Sequence, residues 1–145
     1  MTIAIANDHH GVKMKYDFKN YLEHKGYDVI DLGVDSQEPV DYPELAFKCA
    51  EKVCNKEVDF GILLCGTGVG MSIAANKVKG IRCAKLDTLR DAYYTRFHNN
   101  ANMAAFSTEM GVYRSRDILD MFVKTKFSNE ERHIRRNEMV DSFDN

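Results

Sequence analysis

Phe60-Gly-Ile-Leu-Leu-Cys65-Gly-Thr-Gly-Val-Gly70, followed by Met71-Ser-Ile-Ala-Ala-Asn-Lys77, decides how this 145-residue chain folds. The apolar run Phe60–Leu64 is the pattern of a buried strand. Three alternate glycines, Gly66, Gly68 and Gly70, then let the backbone turn tightly. Met71 to Val78 reads as a helix. Cys65 therefore stands at the carboxyl end of a strand and beside a helix N-terminus. Free backbone N–H groups point into the same space, an arrangement that stabilises a thiolate or a substrate oxyanion.

Working outward, short apolar runs alternate with amphipathic segments. The other predicted strands are Thr2–Ala6, Tyr27–Asp31, Ile81–Lys85 and Met103–Phe106, and the central one extends back to Val58. Met14, Phe18, Tyr21 and Leu22 share one helical face, as do Leu45, Ala46, Cys49, Ala50 and Val53 behind Pro43. Leu89, Ala92, Tyr93 and Phe97 form a further stripe, then Ile118, Met121 and Phe122, and a polar helix is predicted over about Glu130–Phe143. This alternation implies one α/β domain over residues 1–145: three layers, a five-stranded parallel sheet with helices on both faces, doubly wound in the Rossmann-like or flavodoxin-like manner. Ligands of such sheets gather beyond the carboxyl ends of the strands.

Composition narrows the classes. Hydrophobic residues make up 44% and charged residues 29%, the profile of a water-soluble globular protein. A net charge of −2 points to neither nucleic acid nor an anionic membrane as partner. Met1-Thr-Ile-Ala-Ile-Ala carries no basic leader and runs straight into a strand, which predicts no signal peptide and a cytoplasmic protein. Cys49, Cys54, Cys65 and Cys83 match neither a zinc site nor a Cys-x-x-Cys pair, so reduced thiols are expected.

Each candidate site residue has a plain reading beside its chemical one. The glycine run has no Gly-Lys-Ser/Thr of a phosphate-binding P-loop and no dinucleotide spacing, leaving an anion cradle or a simple tight turn. Cys65 is a nucleophile or base, or an inert buried thiol; Thr67 moves a proton, or merely makes the turn. Asp8 and His9 end the first strand, where Asp8 could equally cap the next helix. A metal held by Asp8, His9 and His98 lacks any helix-spaced histidine pair to support it. His98, followed by Asn99, is a general acid/base or a helix cap. Arg132 and Arg136 are four apart, so their guanidinium forks share a helix face and match a phosphate, or form a solvated basic face.

Together these residues resemble the ribose-5-phosphate isomerase type B family, which includes the galactose-6-phosphate isomerase subunits. The likeness runs through Asp8-His9-x-Gly11, Gly26-Tyr27-x-Val29-Ile30-Asp31-x-Gly33 and Val40-Asp41-Tyr42-Pro43. It continues through Cys65-Gly-Thr-Gly-Val-Gly70 with Ile73-Ala-Ala-Asn-Lys77, Gly80-Ile-Arg82, His98-Asn99-x-x-Asn102 and Arg132-His133-x-x-Arg136. The resemblance implies metal-free, cofactor-free interconversion of an aldose phosphate and a ketose phosphate. Cys65 would be the base, the N–H groups of Gly66, Gly68, Val69 and Gly70 would hold an enediolate oxygen, and Thr67 and His98 would assist ring opening. Asp8 and Asn99 would hold sugar hydroxyls, Tyr42 would line the pocket, and His9, Arg132, His133 and Arg136 would meet the phosphate. It also implies a homodimer or pair of dimers, with the C-terminal group reaching the partner's site.

The chain departs from that family at Glu109, where an arginine is usual, at Glu130-Glu131, where glycines are usual, and at His10, in place of a small or apolar residue. Those changes leave the sugar open: ribose 5-phosphate, a hexose 6-phosphate such as galactose or allose 6-phosphate, or a sugar acid. A receiver-like signalling module would need an Asp where Cys65 stands, and a cysteine hydrolase would need Cys65 and His98 in contact.

Overall fold

The computed structural model describes residues 1–143. The elements run β1 (Thr2–Asn7), α1 (Val12–His24), β2 (Asp28–Asp31), α2 (Tyr42–Cys54), β3 (Phe60–Cys65), α3 (Val69–Ala75), β4 (Cys83–Lys85), α4 (Leu89–Phe97), β5 (Met103–Ser107), α5 (Val112–Lys124) and α6 (Glu131–Asp141). All strand pairs are parallel, in the order β2-β1-β3-β5-β4. The α/β doubly wound sheet is therefore as expected. Its last two strands exchange places relative to the flavodoxin order 2-1-3-4-5.

Alternation within the strands separates two cores. Ile3, Ile5, Ile62, Leu64 and Phe106 turn toward α1, α4 and α5, meeting Phe18, Leu22, Ala92, Ile118 and Phe122. Ala4, Ala6, Leu63, Met103 and Ala105 turn toward α2 and α3, meeting Ala46, Cys49, Ala50, Met71 and Ala75. Small strand residues on the second face let α2 lie close, with the Cys49 thiol 3.9 Å from the Ala4 carbonyl. Local signals fix the helix starts: Pro43 sits in the first turn of α2, and Thr88 and Asp91 form a reciprocal capping box on α4.

The strand order positions the site. β3 sends the chain to α3 on one face, while its neighbours β1 and β5 send it to α1 and α5 on the other. The crossover direction therefore changes on both sides of β3, and the loop after Cys65 lies between two crevices. α3 begins at Val69, so the last glycine of the run is inside the helix rather than before it.

Candidate active site

Register brings three strand ends side by side. Asn7 pairs with Leu64, Leu64 with Phe106, and Cys65 with Ser107. Beyond them, at the carboxyl edge, lie Asp8, the Cys65–Gly70 loop and the Ser107–Glu109 turn. Cys65 is the last strand residue, buried, and its sulfur accepts the Gly68 N–H at 3.2 Å. The Thr67 hydroxyl accepts the Val69 N–H at 3.3 Å. Gly68 has φ of +77° and lies against β5; a Cβ there would sit 2.9 Å from the Phe106 carbonyl carbon. Gly70 faces the Tyr42 ring, which a Cβ would approach to 2.8 Å. These two glycines are thus required for different reasons, backbone conformation at Gly68 and close packing at Gly70.

The remaining carboxyl-edge candidates collect around this loop. Asp8 is buried and does not cap α1, whose N-cap is Gly11 without a side-chain bond. Its Oδ1 instead accepts the His10 N–H at 2.9 Å. His9 Nδ1 accepts the Val40 N–H at 3.3 Å. The Ser107 hydroxyl donates to the Gly66 carbonyl at 2.8 Å and accepts the Glu109 N–H at 3.1 Å, while the Thr108 N–H reaches the Cys65 carbonyl. Glu109 is exposed on this turn, and its carboxylate forms no ion pair among the described residues.

A residue that periodicity does not single out fastens the wall of the site. Lys15 is wholly buried, and its ammonium meets Asp31 at 3.1 Å, Asp35 at 2.5 Å and the Val34 carbonyl at 2.9 Å. Burial alone would push Lys15 down, but hydrogen bonds to Asp35 and Asp31 outweigh it and hold it above the ordinary lysine value. Asp35 is held below the ordinary carboxylate value by the hydrogen bonds from Lys15 and Tyr16. Asn7 donates to the carbonyls of Asp8 and Val34 from beneath, so the loop between β2 and α2 is tied to β1 and α1.

His98 lies at the opposite edge of the protomer from Cys65. It is the C-cap of α4, which runs back from the carboxyl end of β4 to the amino end of β5. Nine helical residues cover roughly 13 Å along that axis. The segment after His98 confirms its position: the Asn102 carbonyl accepts the Gly61 N–H at the start of β3, and the Asn102 N–H donates to Arg82 just before β4. The physical reason is that a crossover helix must return the chain to the edge where the next parallel strand begins. Direct Cys65–His98 contact, which a cysteine hydrolase would need, is therefore not made within the chain.

At this amino edge α6 packs on the end of α4. Asn137 donates to the His98 carbonyl at 3.1 Å, and the His98 and His133 rings lie 4.4 Å apart. His133 is buried, its Nδ1 is 2.7 Å from the Ser128 hydroxyl, and its pKa is lowered by burial and then by His98. His98, Asn99, Arg132, His133, Arg136 and Asn137 line one cleft of about 300 Å³. Arg132 and Arg136 do share a face, as their spacing predicts, and Arg132 is paired with Glu130 at 2.8 Å.

Cation ligands are present but poorly set. Asp8, His9 and His10 each bring one ligating atom within 4.8 Å of the others. His9 Nδ1 already accepts an N–H, which leaves the proton of the neutral ring on Nε2 and no lone pair there for a cation. Burial pushes the Cys49 and Cys83 thiols up to about 12, so both stay protonated.

The Ribose/Galactose Isomerase family matches residues 3–140. The chain belongs to that family. Membership makes it an enzyme, an isomerase of the aldose–ketose kind. Ribose-5-phosphate isomerase B of Escherichia coli is 38% identical over 143 residues, spanning 98% of this chain and 95% of that protein. The solved ribose-5-phosphate isomerase B of Clostridium thermocellum is 42% identical with a TM-score of 0.94, covering 97% of this chain and 95% of that one. The Mycoplasma genitalium enzyme, solved with bound ribulose 5-phosphate, is 39% identical with a TM-score of 0.93, covering 98% and 95%.

Proposed function

We propose that this protein interconverts ribose 5-phosphate and ribulose 5-phosphate through an enediolate, with Cys65 as the base. The observation that carries the reading is the sulfur of Cys65, held at a strand end by the Gly68 N–H and flanked by buried Asp8. Cys65, as the thiolate, removes the C2 proton of the open aldose and the C1 oxygen takes up the negative charge; the C2 hydroxyl proton passes to the C1 oxygen, and the thiol returns its proton at C1 as C2 becomes the carbonyl. N–H groups of the Gly66–Gly70 loop hold that oxygen, and loss of one such donor typically costs about 3 kcal/mol of barrier. Gly68 and Val69 donate within the loop before substrate arrives, so Gly66 and Gly70 have the freer N–H groups. Asp8 takes sugar hydroxyls, Thr67 assists at the ring oxygen and Tyr42 lines the pocket. The chain acts as one domain, needs no metal, and works in the cytoplasm, where four free thiols stay reduced.

The site is completed by a second copy. Cys65 and the phosphate-type group Arg132, His133 and Arg136 lie at opposite edges of one protomer, so a homodimer, or a pair of dimers, is needed to join them. α6 leaves Ile134, Met139 and Val140 exposed for such docking, and Val69 and Ile73 are exposed on α3 beside the catalytic loop. In this arrangement the arginines of one copy, with His9 of the other, bind phosphate, and His98 and Asn99 reach the sugar. The test is incubation with ribose 5-phosphate in D₂O: ribulose 5-phosphate should form with deuterium entering from solvent, and no conversion would sink the assignment.

A second reading, a hexose 6-phosphate isomerase, is favoured by one observation. Glu109 puts an exposed carboxylate on the turn bound to Cys65 and Gly66. At about 5 Å and an effective dielectric near 20, a carboxylate opposes each phosphate charge by roughly 3 kcal/mol before screening. A longer sugar would carry its phosphate farther from this turn. Comparing kcat/KM for ribose 5-phosphate and galactose 6-phosphate, in wild type and Glu109→Arg, separates the two.

A further inference from the structure

We propose that Ser107 is a positioning residue for the reaction: its hydroxyl sets the peptide unit between Gly66 and Thr67 so that the Thr67 N–H joins the Gly66 N–H in holding the enediolate oxygen. The role rests on the aldose–ketose reading above. Ser107 ends β5 and pairs in register with Cys65, the last residue of β3. Its hydroxyl oxygen accepts the Glu109 N–H at 3.1 Å, and its one proton goes to the Gly66 carbonyl at 2.8 Å. One residue earlier, the Cys65 carbonyl accepts the Thr108 N–H at 3.1 Å. Two successive carbonyls of the loop are thus held on the side of β5.

Those two bonds also aim the N–H groups. In a planar trans peptide the N–H points opposite to the C=O of the same unit. None of the described peptide bonds is cis. The Gly66 N–H shares a unit with the Cys65 carbonyl, and the Thr67 N–H with the Gly66 carbonyl, so both point away from β5. Neither has a hydrogen-bond acceptor among the described residues. β1 stands on that other side of β3, and buried Asp8 follows its end. Successive N–H groups aimed one way make a concavity for an anion.

The loop does not hold this unit by itself. Gly66 has no Cβ, so the unit turns about its ψ with little steric resistance. The residues that follow are restrained by other means. Gly68 donates to the Cys65 sulfur and packs on the Phe106 carbonyl, and the Val69 N–H reaches the Thr67 hydroxyl. The Gly66 carbonyl is tied across to Ser107 instead. Without that tie the unit is free to flip and present a carbonyl oxygen, rather than an N–H, to the forming enediolate. The charge exists only once the C2 proton has left, so the loss falls on the transition state and not on substrate binding.

Two variants and two inhibitors read this role. Ser107→Ala should lower kcat by at least about tenfold with KM changed by less than about twofold, and Ser107→Thr, which keeps the hydroxyl, should retain most of the turnover. A phosphorylated four-carbon hydroxamate copies the adjacent oxygens of the enediolate, whereas ribitol 5-phosphate copies the sugar without its carbonyl. Ser107→Ala should weaken the hydroxamate by at least about tenfold and ribitol 5-phosphate by less than about twofold. Wild-type kcat in Ser107→Ala, equal weakening of both inhibitors, or equal losses in the Ala and Thr variants would overturn the role. The wild type is assayed alongside with ribose 5-phosphate and galactose 6-phosphate. Turnover of neither would remove the isomerase reading and this role together, whereas an active wild type with an unaffected Ser107→Ala removes only Ser107.

Discussion

The carboxyl and amino edges of the sheet carry different chemistry. At the carboxyl edge stand a thiol, a buried carboxylate, hydroxyls and loop N–H groups, with Glu109 exposed at the rim. At the amino edge stand His98, His133 and the guanidinium groups of Arg132 and Arg136. The first can move protons and hold an oxyanion; the second suits a dianion. Parallel strands and returning helices keep the two apart in one chain, because every crossover that leaves one edge must end at the other. A second copy turned end for end would join them twice over, once in each of two equivalent sites.

The strongest way to break this comparison is at Cys65. Cys65→Ala should lower turnover by about a hundred- to ten-thousandfold, the range of a general base, while leaving the melting temperature nearly unchanged. Near-wild-type turnover would move the base elsewhere. The next effect belongs to the other edge. Arg132→Ala/Arg136→Ala should raise KM by roughly tenfold or more per guanidinium, with kcat changed less, because phosphate is held in ground and transition states alike. Mixed one to one with Cys65→Ala chains, this variant should recover about a quarter of wild-type activity if one partner's edge completes the other's site. No recovery on verified subunit exchange would mean that each protomer works alone.

Two smaller effects concern stability, one on each edge. Lys15→Met should cost about 2 kcal/mol in urea unfolding, less than a fully buried pair because Asp31 and Asp35 reach water. It should also weaken substrate binding, since the loop between β2 and α2 loses its anchor. An unchanged midpoint would make the Lys15 cluster dispensable. His133, whose pKa is lowered in the fold, contributes stability that is complete above the unfolded imidazole value of 6.5 and is lost as pH falls through the folded one. Melts from about pH 8 to about pH 5 should therefore lose more in wild type than in His133→Gln. Parallel curves would show that His133 does not couple to acid stability.

Much of this was legible beforehand. Apolar runs and helical spacing locate all five strands and six helices, because burial on a parallel sheet imposes those periods directly. Cys65 at a strand end follows from the switch between the apolar run and the glycines. Strand limits were less legible: the predicted Ile81–Lys85 shortens to Cys83–Lys85, because the Asn76 and Asn102 side chains take the Cys83 and Arg82 N–H groups before pairing begins. Lys15 sits among polar residues that periodicity assigns to solvent, and only Asp31 and Asp35 brought close make its burial tolerable.

By itself, the sequence determined the α/β class, the buried strand leading to Cys65, the glycine turn and the shared face of Arg132 and Arg136. Each depends on residues within a few positions of one another, where backbone geometry links neighbours. Tertiary structure decided the strand order, and with it the two crevices flanking β3. It decided that Gly68 gives way to β5 and Gly70 to Tyr42, that Asp8 turns to His10 rather than to a helix end, and that His98 stands across the sheet from Cys65. Those outcomes depend on which elements neighbour in space. Packing of the whole chain sets that adjacency, and no local spacing encodes it.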